Sequence, residues 1–398
     1  MRWLHFRWVT TRSDPFQPGF WRGLERGFRH QRKRLFGHGP APVAAIPALT
    51  TTRLMGQAKL AAQPPATGTS RFALYVNSQG NYFVRELAEL LQAGLRGAGY
   101  TCQLRTERDG ASSSAQHHLV LAPHEFFFLA DGWKCFDRTH QGRLFLLNTE
   151  PTRAPGFRRA AQIFFLARHV FDLNADSVRT LRNQGYSASH LRFGYVDDCP
   201  LFDSSRPLPL APETEALPAA VRDWRDDGLP LTQRPLDICC FGEATLRRAR
   251  LLVALAPWLQ GVESYLGLTP PGGEPWAGGP GREDLPSRLS AGIARRSKIF
   301  LHLHGDAEPT VEWQRFVWLG LWQRTLVVTE PVADCAPFVA GRDFVMASSA
   351  DLARILDYHL RDSQGVAEAE RIREQGFRTL REAGDFPQHL REVWQPFA

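Results

Sequence analysis

The chain has 398 residues, 43% of them hydrophobic, with 28 prolines and 33 glycines. This length and composition exclude a chain that is disordered throughout and indicate two globular domains joined by linkers. A formal net charge of +7 and a pI near 9.3 favour acidic partners such as nucleotide phosphates, anionic lipids or nucleic acids, without choosing among them.

The N-terminal segment is basic and aromatic. Residues 1–38 hold nine Lys or Arg against two acids, Asp14 and Glu25, with aromatic residues between them. Such a segment can lie peripherally on an anionic membrane surface or dock on an acidic partner. The alternatives are an extra helix packed on the body and a disordered arm. Residues 41–70, rich in Ala, Pro and Thr, are typical of a linker.

The next residues predict a first α/β domain. A buried strand at 72–76, a polar turn at 77–81 and an amphipathic helix at 82–97 form its start. Further strands at 118–123 and 143–148 follow, and alternation of strand and helix indicates a parallel sheet. The turn at 77–81 is a plain turn or a loop whose amides hold an acceptor or a phosphate.

Three titratable residues follow the strands of this domain directly. His124 comes after one buried strand, and it is either a general base for an acceptor hydroxyl or a histidine that merely caps the strand end. Glu125 and Glu150 occupy similar strand-end positions and could do the same proton transfer. We take His124 and Glu150 as the candidate catalytic residues.

The second half of the chain predicts another α/β domain. A strand at 237–242 precedes a helix opened by Arg247 and Arg248. A second strand, 299–304, leads through a polar loop to a helix at 311–322 and then to another buried strand. The predicted fold is therefore two Rossmann-like α/β domains facing across a cleft.

The predicted domain boundaries follow from these patterns. They are a basic aromatic extension and linker at 1–70, an N-terminal Rossmann-like domain at 71–200, a Pro-rich linker at 201–235, a C-terminal Rossmann-like domain at 236–365 and a helical tail at 366–398.

Polar residues at the end of the 299–304 strand mark a candidate binding site, because ligands collect at the carboxyl ends of strands in such sheets. Glu312 and Arg315 share one face near the start of the following helix, an end that attracts phosphates. His302, His304 and Asp306 resemble a metal cluster, but the sequence supplies no further ligand in a recognised spacing, so no metal is predicted. A place for His304 near a phosphate or ribose is preferred.

The run LHLHGDAEPTVEWQRFVWLGLWQRTLVVTEP resembles the donor-sugar half of GT-B glycosyltransferases, especially the CgeB-like group and the glycosyltransferase group 1 type. The resemblance rests on His304, Glu312, Arg315 and the strand end formed by Val327, Val328, Thr329 and Glu330, and it extends more faintly over residues 71–381. It implies transfer of a sugar from a nucleotide-diphosphate donor, bound by the second domain, to an acceptor hydroxyl presented by the first, without a metal or other cofactor.

The resemblance also implies roles for single residues. Gly242, Arg247 and Arg248 fall where such enzymes set a basic side chain against the donor diphosphate; solvated arginines on a helix face are the competing interpretation. The donor-binding set is completed by His304, Glu312, Arg315 and Glu330.

One residue departs from this family. Retaining members carry a glutamate that holds the donor ribose where this chain has Trp318. A non-catalytic protein that binds nucleotides or carbohydrates on the same fold is therefore the alternative. Nucleic-acid binding is not expected, because no reading motif accompanies the positive charge.

The cysteines bear on the compartment. Six cysteines show no C-x-x-C pair, so free thiols in a reducing cytoplasm are the simplest account. No apolar run of 18 residues exists, and charges occupy the amino terminus where a signal peptide would be apolar. From the cysteines and the amino terminus we expect a cytoplasmic protein. Its basic residues are almost all arginine, which GC-rich bacterial coding favours, so we also expect a bacterial source.

Overall fold

A computed structural model describes residues 6–10, 70–197, 199–202, 207–208, 212–215, 217–225, 230–269, 285–305, 314–333 and 335–397. Within these residues the strands form two six-stranded sheets. The strands are β1 (Phe6–Thr10), β2 (Arg71–Val76), β3 (Thr101–Thr106), β4 (His117–Leu121), β5 (Leu144–Asn148), β6 (His169–Asp172), β7 (Ala188–His190), β8 (Leu236–Glu243), β9 (Ser264–Thr269), β10 (Ser297–His302), β11 (Leu326–Thr329) and β12 (Val345–Met346).

The helices cover both sheets. The α-helices are α1 (Tyr82–Gly97), α2 (Pro123–Phe126), α3 (Pro155–Ala161), α4 (Ala175–Asn183), α5 (Pro212–Glu215), α6 (Ala219–Arg222), α7 (Leu246–Leu259), α8 (Leu285–Arg295), α9 (Leu352–Arg361), α10 (Ser363–Ala383) and α11 (Phe386–Trp394), and a π-helix spans Gln314–Leu321. Short 3-10 turns occupy Pro200–Phe202 and Leu231–Gln233 of the predicted Pro-rich linker.

The first sheet has the strand order β3-β2-β4-β5-β6-β7, and all its strand pairs are parallel. Its central strands are apolar on both faces, because helices pack against each side. β2, α1, β4 and β5 lie where the hydrophobic pattern predicts them. Asn81, just before α1, caps the helix, because its side chain accepts a hydrogen bond from the Phe83 amide.

The second sheet has the order β1-β9-β8-β10-β11-β12. Its pairs are parallel except at one edge, where β1 runs antiparallel to β9 with Trp8 opposite Leu266. The prediction that residues 1–70 lie outside both domains therefore does not hold for Phe6–Thr10. The rest of the predicted basic surface within residues 1–38 lies outside the described residues. Two parallel α/β sheets confirm the predicted pair of Rossmann-like domains.

The carboxyl ends of the two sheets face each other. Tyr82 opens α1 at the carboxyl edge of the first sheet, and its hydroxyl lies 2.9 Å from the Ser287 hydroxyl near the start of α8. Because α8 leads back into the amino end of β10, its start lies at the carboxyl edge of the second sheet. Ser287 also donates to the buried carboxylate of Glu86. The cleft therefore lies between the strand ends that carry the candidate site residues.

The chain crosses between the domains at two adjacent segments. The Tyr195 amide donates to the Gly384 carbonyl at 2.7 Å, and the Phe386 amide donates to the Tyr195 carbonyl at 3.1 Å. After this crossing, α11 packs on the first domain, where the Trp394 ring lies 4.7 Å from the ring of Phe72. The predicted tail thus consists of α10 and α11, broken between Ala383 and Phe386.

The helix before β11, predicted as a helix at 311–322, is a π-helix over Gln314–Leu321 in the described residues. The Trp322 amide donates to the Val317 carbonyl and the Thr325 amide to the Gly320 carbonyl, both five residues back. Trp318 in this helix is fully buried and its ring lies 5.0 Å from Phe202 and 5.7 Å from Phe193. Trp318 is therefore part of the hydrophobic core that the two domains share.

Candidate functional site

A buried ion pair organises the carboxyl edge of the second sheet. Arg247, in the first turn of α7, donates from Nη1 and Nη2 to the two carboxylate oxygens of Glu330, each at 2.6 Å. Glu330 follows β11 directly and is 1% exposed, whereas the Arg247 side chain keeps 30% of its surface open. Arg247 also donates to the carbonyl of His304, which follows β10. Three predicted site residues from three strand ends are thus brought together.

Glu330 accepts further hydrogen bonds. The His304 amide donates to it at 2.9 Å and the Ser349 hydroxyl at 2.8 Å. Burial alone would raise the pKa of Glu330, but the bonds from Arg247, His304 and Ser349 outweigh burial and lower it. Glu330 is therefore a carboxylate at neutral pH, and it fixes Arg247 and the backbone of His304. A direct contact between Glu330 and a donor stays a prediction.

Arg248 has a different environment from Arg247. It is 2% exposed, and its Nε donates to the Leu303 carbonyl at 2.8 Å while Nη1 donates to the Glu243 carbonyl at 3.1 Å. A Cβ at Gly242 would lie 2.7 Å from Arg248 Nη1, so the glycine admits the guanidinium. Both residues join the ends of β8 and β10, and their contact with a diphosphate stays a prediction.

His304 presents a buried acceptor. It is 4% exposed, and its Nε2 donates to the Pro331 carbonyl at 3.0 Å, which assigns the proton to that nitrogen. Its Nδ1 is buried and has no hydrogen-bond partner in the part of the chain that the structure describes. A ligand hydroxyl could satisfy this nitrogen. Glu312 lies outside the described residues, and of Arg315 only the backbone, in the π-helix, is described.

The carboxyl edge of the first sheet holds a second cluster. His124 Nε2 lies 3.6 Å from Glu150 Oε1 and 3.9 Å from Glu125 Oε1, so both predicted catalytic residues are neighbours. The two glutamate side chains lie against glycines, which have no side chain to clash with them. A Cβ at Gly80 would lie 2.7 Å from Glu125, and a Cβ at Gly156 would lie 2.7 Å from Glu150.

A strained backbone presents His124 and Glu125. Ala122, between β4 and α2, has a φ of 46°, a left-handed conformation that costs an alanine about 1 to 2 kcal/mol. Strain of this kind is often found at functional sites. The turn directs His124 toward the end of β5, where Glu150 lies.

Burial shifts the pKa of all three groups in this cluster. It lowers the pKa of His124 to about 4, with a contribution from Arg159, so the imidazole is neutral at pH 7. Burial raises the pKa of Glu125, although the hydrogen bond from the Asn81 amide lowers it in part. Burial also raises the pKa of Glu150, and the nearby charge of Glu125 raises it further. A carboxylate whose pKa moves toward neutrality is the better base, so Glu150 is favoured over His124.

Two polar residues that the sequence did not single out support the cluster. Asn148 Nδ2 donates at 2.7 Å both to the Glu150 carbonyl and to the Asp172 carboxylate. Asp172 is 1% exposed, and burial raises its pKa to about 7 despite bonds from Asn148 and the Asn174 amide. Asn148 is the last residue of β5 and Asp172 is the last residue of β6. A polar residue at the end of a buried strand is the sequence signal that could have predicted them as site residues.

The turn at 77–81 does not offer its amides to a ligand. The amides of Ser78, Gln79, Gly80 and Asn81 donate to Glu107, to the side chain and carbonyl of Asn77 and to Glu125 respectively. The plain-turn interpretation is therefore the correct one.

Metal and membrane features are absent from the described part of the chain. No group of three or more His, Cys, Asp or Glu side chains there is arranged to hold a metal ion, and Asp306 lies outside it. None of the helices resolved in these ranges is long and apolar enough to cross a membrane.

Two Rossmann-like domains with facing carboxyl edges, and a last helix that returns to the first domain, define the GT-B fold. No protein-family model matches the sequence, and no curated protein matches it. Similar solved structures include a glycosyltransferase from Rickettsia africae (13% identity, 83% of this chain and 98% of that chain, TM-score 0.47). Another is sucrose-phosphate synthase from Thermosynechococcus elongatus (9% identity, 82% of this chain and 99% of that chain, TM-score 0.48). A third is Anabaena HepE in complex with UDP and glucose (11% identity, 82% of this chain and 99% of that chain, TM-score 0.46). The fold assignment rests on the sheet topology described above.

Proposed function

We propose that the protein is a metal-independent glycosyltransferase of the GT-B type that moves a sugar from a nucleotide-diphosphate donor to an acceptor hydroxyl. The observation that carries this proposal is the pair of polar clusters at facing sheet edges. One holds an arginine that a buried carboxylate fixes in place, and the other contains carboxyl groups with raised pKa values. Transfer between two substrates needs such a pair of sites.

The second domain supplies the donor site in this proposal. The Arg247 side chain is 30% exposed while Glu330 holds it in position, an arrangement suited to a phosphate oxygen. His304 offers its buried Nδ1 to a ribose or sugar hydroxyl. Arg315 would meet a second phosphate and Glu312 a hydroxyl, as the sequence resemblance implies.

The first domain supplies the base. Glu150 takes the proton from the acceptor hydroxyl as that oxygen attacks the anomeric carbon, and the nucleoside diphosphate leaves. Its raised pKa makes it a stronger proton acceptor than an exposed carboxylate. The Nε2 of neutral His124 lies 3.6 Å from a Glu150 carboxylate oxygen. This distance supports the proposal that Glu150 and His124 act together in the acceptor site, with Glu150 as the base.

A non-catalytic binding protein on the same fold is the second candidate. It is favoured by Trp318, which is fully buried where the resemblance expects a ribose-binding glutamate and so cannot contact a ligand. Fold alone does not decide between them, because one scaffold serves several functions.

A nucleotide panel tests the proposal. Thermal unfolding with UDP, GDP and dTDP should identify one nucleotide that stabilises the protein. The matching sugar nucleotide should then be hydrolysed or transferred by the wild type. Replacing Arg315 with Ala should weaken nucleotide binding by about 1.5 to 3 kcal/mol. Nucleotide binding without turnover would favour the binding protein, and no response to any nucleotide would overturn the glycosyltransferase.

A further inference from the structure

We propose that a cavity beside the place where the chain crosses between the two domains binds a phosphorylated small molecule. The cavity has a volume of about 950 Å³, large enough for a nucleotide or a sugar phosphate. It is walled by the second half of α1, by residues 195–197, 199 and 201 and by the junction of α10 and α11. None of its lining residues belongs to the two clusters assigned to the proposed transfer reaction.

The position of the cavity separates it from the candidate active site. Its α1 residues run from Glu89 to Gly97 and follow Tyr82 and Glu86, the two α1 residues that contact Ser287 across the cleft. At a rise of about 1.5 Å per residue, Glu89 lies about 10 Å and Gly97 about 22 Å along the helix from Tyr82. None of the lining residues belongs to the Glu150 or Arg247 cluster.

Three guanidinium groups line this space. They belong to Arg96, Arg381 and Arg391, on three different helices. Arg96 donates to the Cys102 carbonyl at 3.4 Å, and Arg381 lies 5.9 Å from the Tyr195 ring centre. In the described part of the chain no carboxylate oxygen lies within 4.0 Å of any of the three guanidinium groups.

The carboxylates of the lining bond to other groups. Glu89 pairs with Arg85 at 3.0 Å, and Asp385 accepts from the Gln388 amide as the cap of α11. Asp197 forms a hydrogen bond with Tyr195. The lining thus holds three carboxylates and three guanidinium groups, and among the described residues the guanidinium groups are not ion-paired with a carboxylate. Each can therefore bind an oxygen of an anion. Phosphate fits best, since guanidinium binds it through paired hydrogen bonds.

The site also joins parts of the chain that belong to different domains. Arg96 and Arg391 lie on α1 and α11, which pack on each other against the first sheet, while α10, which carries Arg381, packs against β11 and the π-helix. A phosphate held by all three arginines would link the two domains where the chain crosses between them.

The test compares two double variants at constant ionic strength. R96Q/R391Q removes two of the lining guanidinium groups, and R179Q/R378Q removes two exposed arginines of α4 and α10 that do not line the cavity. Glucose 6-phosphate, inorganic phosphate and glucose are titrated into each protein by calorimetry, with thermal unfolding as a second readout. R381Q serves as an independent variant should the first double variant not fold.

We expect glucose 6-phosphate or phosphate to bind to the wild type and to R179Q/R378Q. We expect the affinity of R96Q/R391Q and of R381Q to be at least tenfold weaker, and we expect no heat of binding when glucose is titrated into the wild type. Equal affinity in all variants would overturn it, as would a wild type that responds no more to phosphate than to chloride. Binding that is lost in R247Q and kept in R96Q/R391Q would assign the anion to the cleft and also overturn it.

Discussion

Replacing Glu330 with Gln tests the ion pair that organises the second-domain cluster. The glutamate is 1% exposed and accepts four hydrogen bonds, two of them from Arg247. Removing one partner of a buried pair costs about 3 to 5 kcal/mol. Because Arg247 is 30% exposed and water can solvate it, we expect the lower end, about 3 kcal/mol, in urea unfolding at pH 7.

The same pair predicts an asymmetry between its two members. Replacing Arg247 with Met leaves the fully enclosed carboxylate without its cation, so this variant should lose more, about 4 to 5 kcal/mol at pH 7. Replacing Ser349 with Ala is the matched control for loss of one hydrogen bond, and should cost about 1.5 kcal/mol.

The pH dependence of E330Q follows from the pKa of Glu330, which is lower in the folded state than in the unfolded chain. The stabilisation is present above the unfolded value of about 4.3 and is lost as the pH falls through the folded pKa. The difference between wild type and E330Q should therefore shrink below pH 4. Two results would refute the reasoning: a loss under about 0.5 kcal/mol at pH 7, or a difference that grows in acid.

Three further predictions concern the first domain and the shared core. Replacing Glu150 with Gln should lower kcat at least 100-fold with little change in donor KM, because only the proton transfer is lost; an equal loss in a donor-binding assay would contradict the role. The free energy of unfolding of Asp172→Asn relative to that of the wild type should rise by roughly 2 to 3 kcal/mol between pH 5 and pH 8. The reason is that the folded pKa of Asp172, about 7, exceeds the unfolded value of about 3.9, so the wild type loses stability as the pH rises. A difference in urea titrations that does not change with pH would disprove the raised pKa. Trp318→Ala should cost about 3 to 5 kcal/mol through the cavity it leaves beside Phe202, and the folded fraction should bind nucleotide as the wild type does. A selective loss of nucleotide affinity would make Trp318 a ligand contact.

The hydrophobic pattern predicts much of the fold because its strands are short continuous apolar runs. β2, β8 and β10 lie within one or two residues of their predicted bounds. Phe6–Thr10 is rich in aromatic and β-branched residues, as strands are, but its partner β9 is more than 250 residues away, and such pairing does not show in local sequence. The sequence predicts a helix at 311–322 but not its type, because an apolar face suits an α-helix and a π-helix alike.

The candidate site was only partly predictable. Arg247, His304 and Glu330 do meet, because the carboxyl ends of adjacent parallel strands share an edge. Sequence cannot say which of two adjacent arginines points outward, and Arg248 is the buried one. Asp172 escaped prediction because its importance comes from burial beside Asn148, which depends on packing between β5 and β6.

The two chain crossings at Tyr195 and Phe386 limit how the domains can move. Their backbone hydrogen bonds and the core around Trp318 hold the domains together at one side of the molecule. Sliding one domain along the other would break these contacts, whereas a rotation about this point would keep them. In such a rotation, displacement grows with distance from the axis, so a few degrees move the facing strand ends by the largest amount. The separation of Arg247 from Glu150 is then the coordinate most sensitive to the angle between the domains.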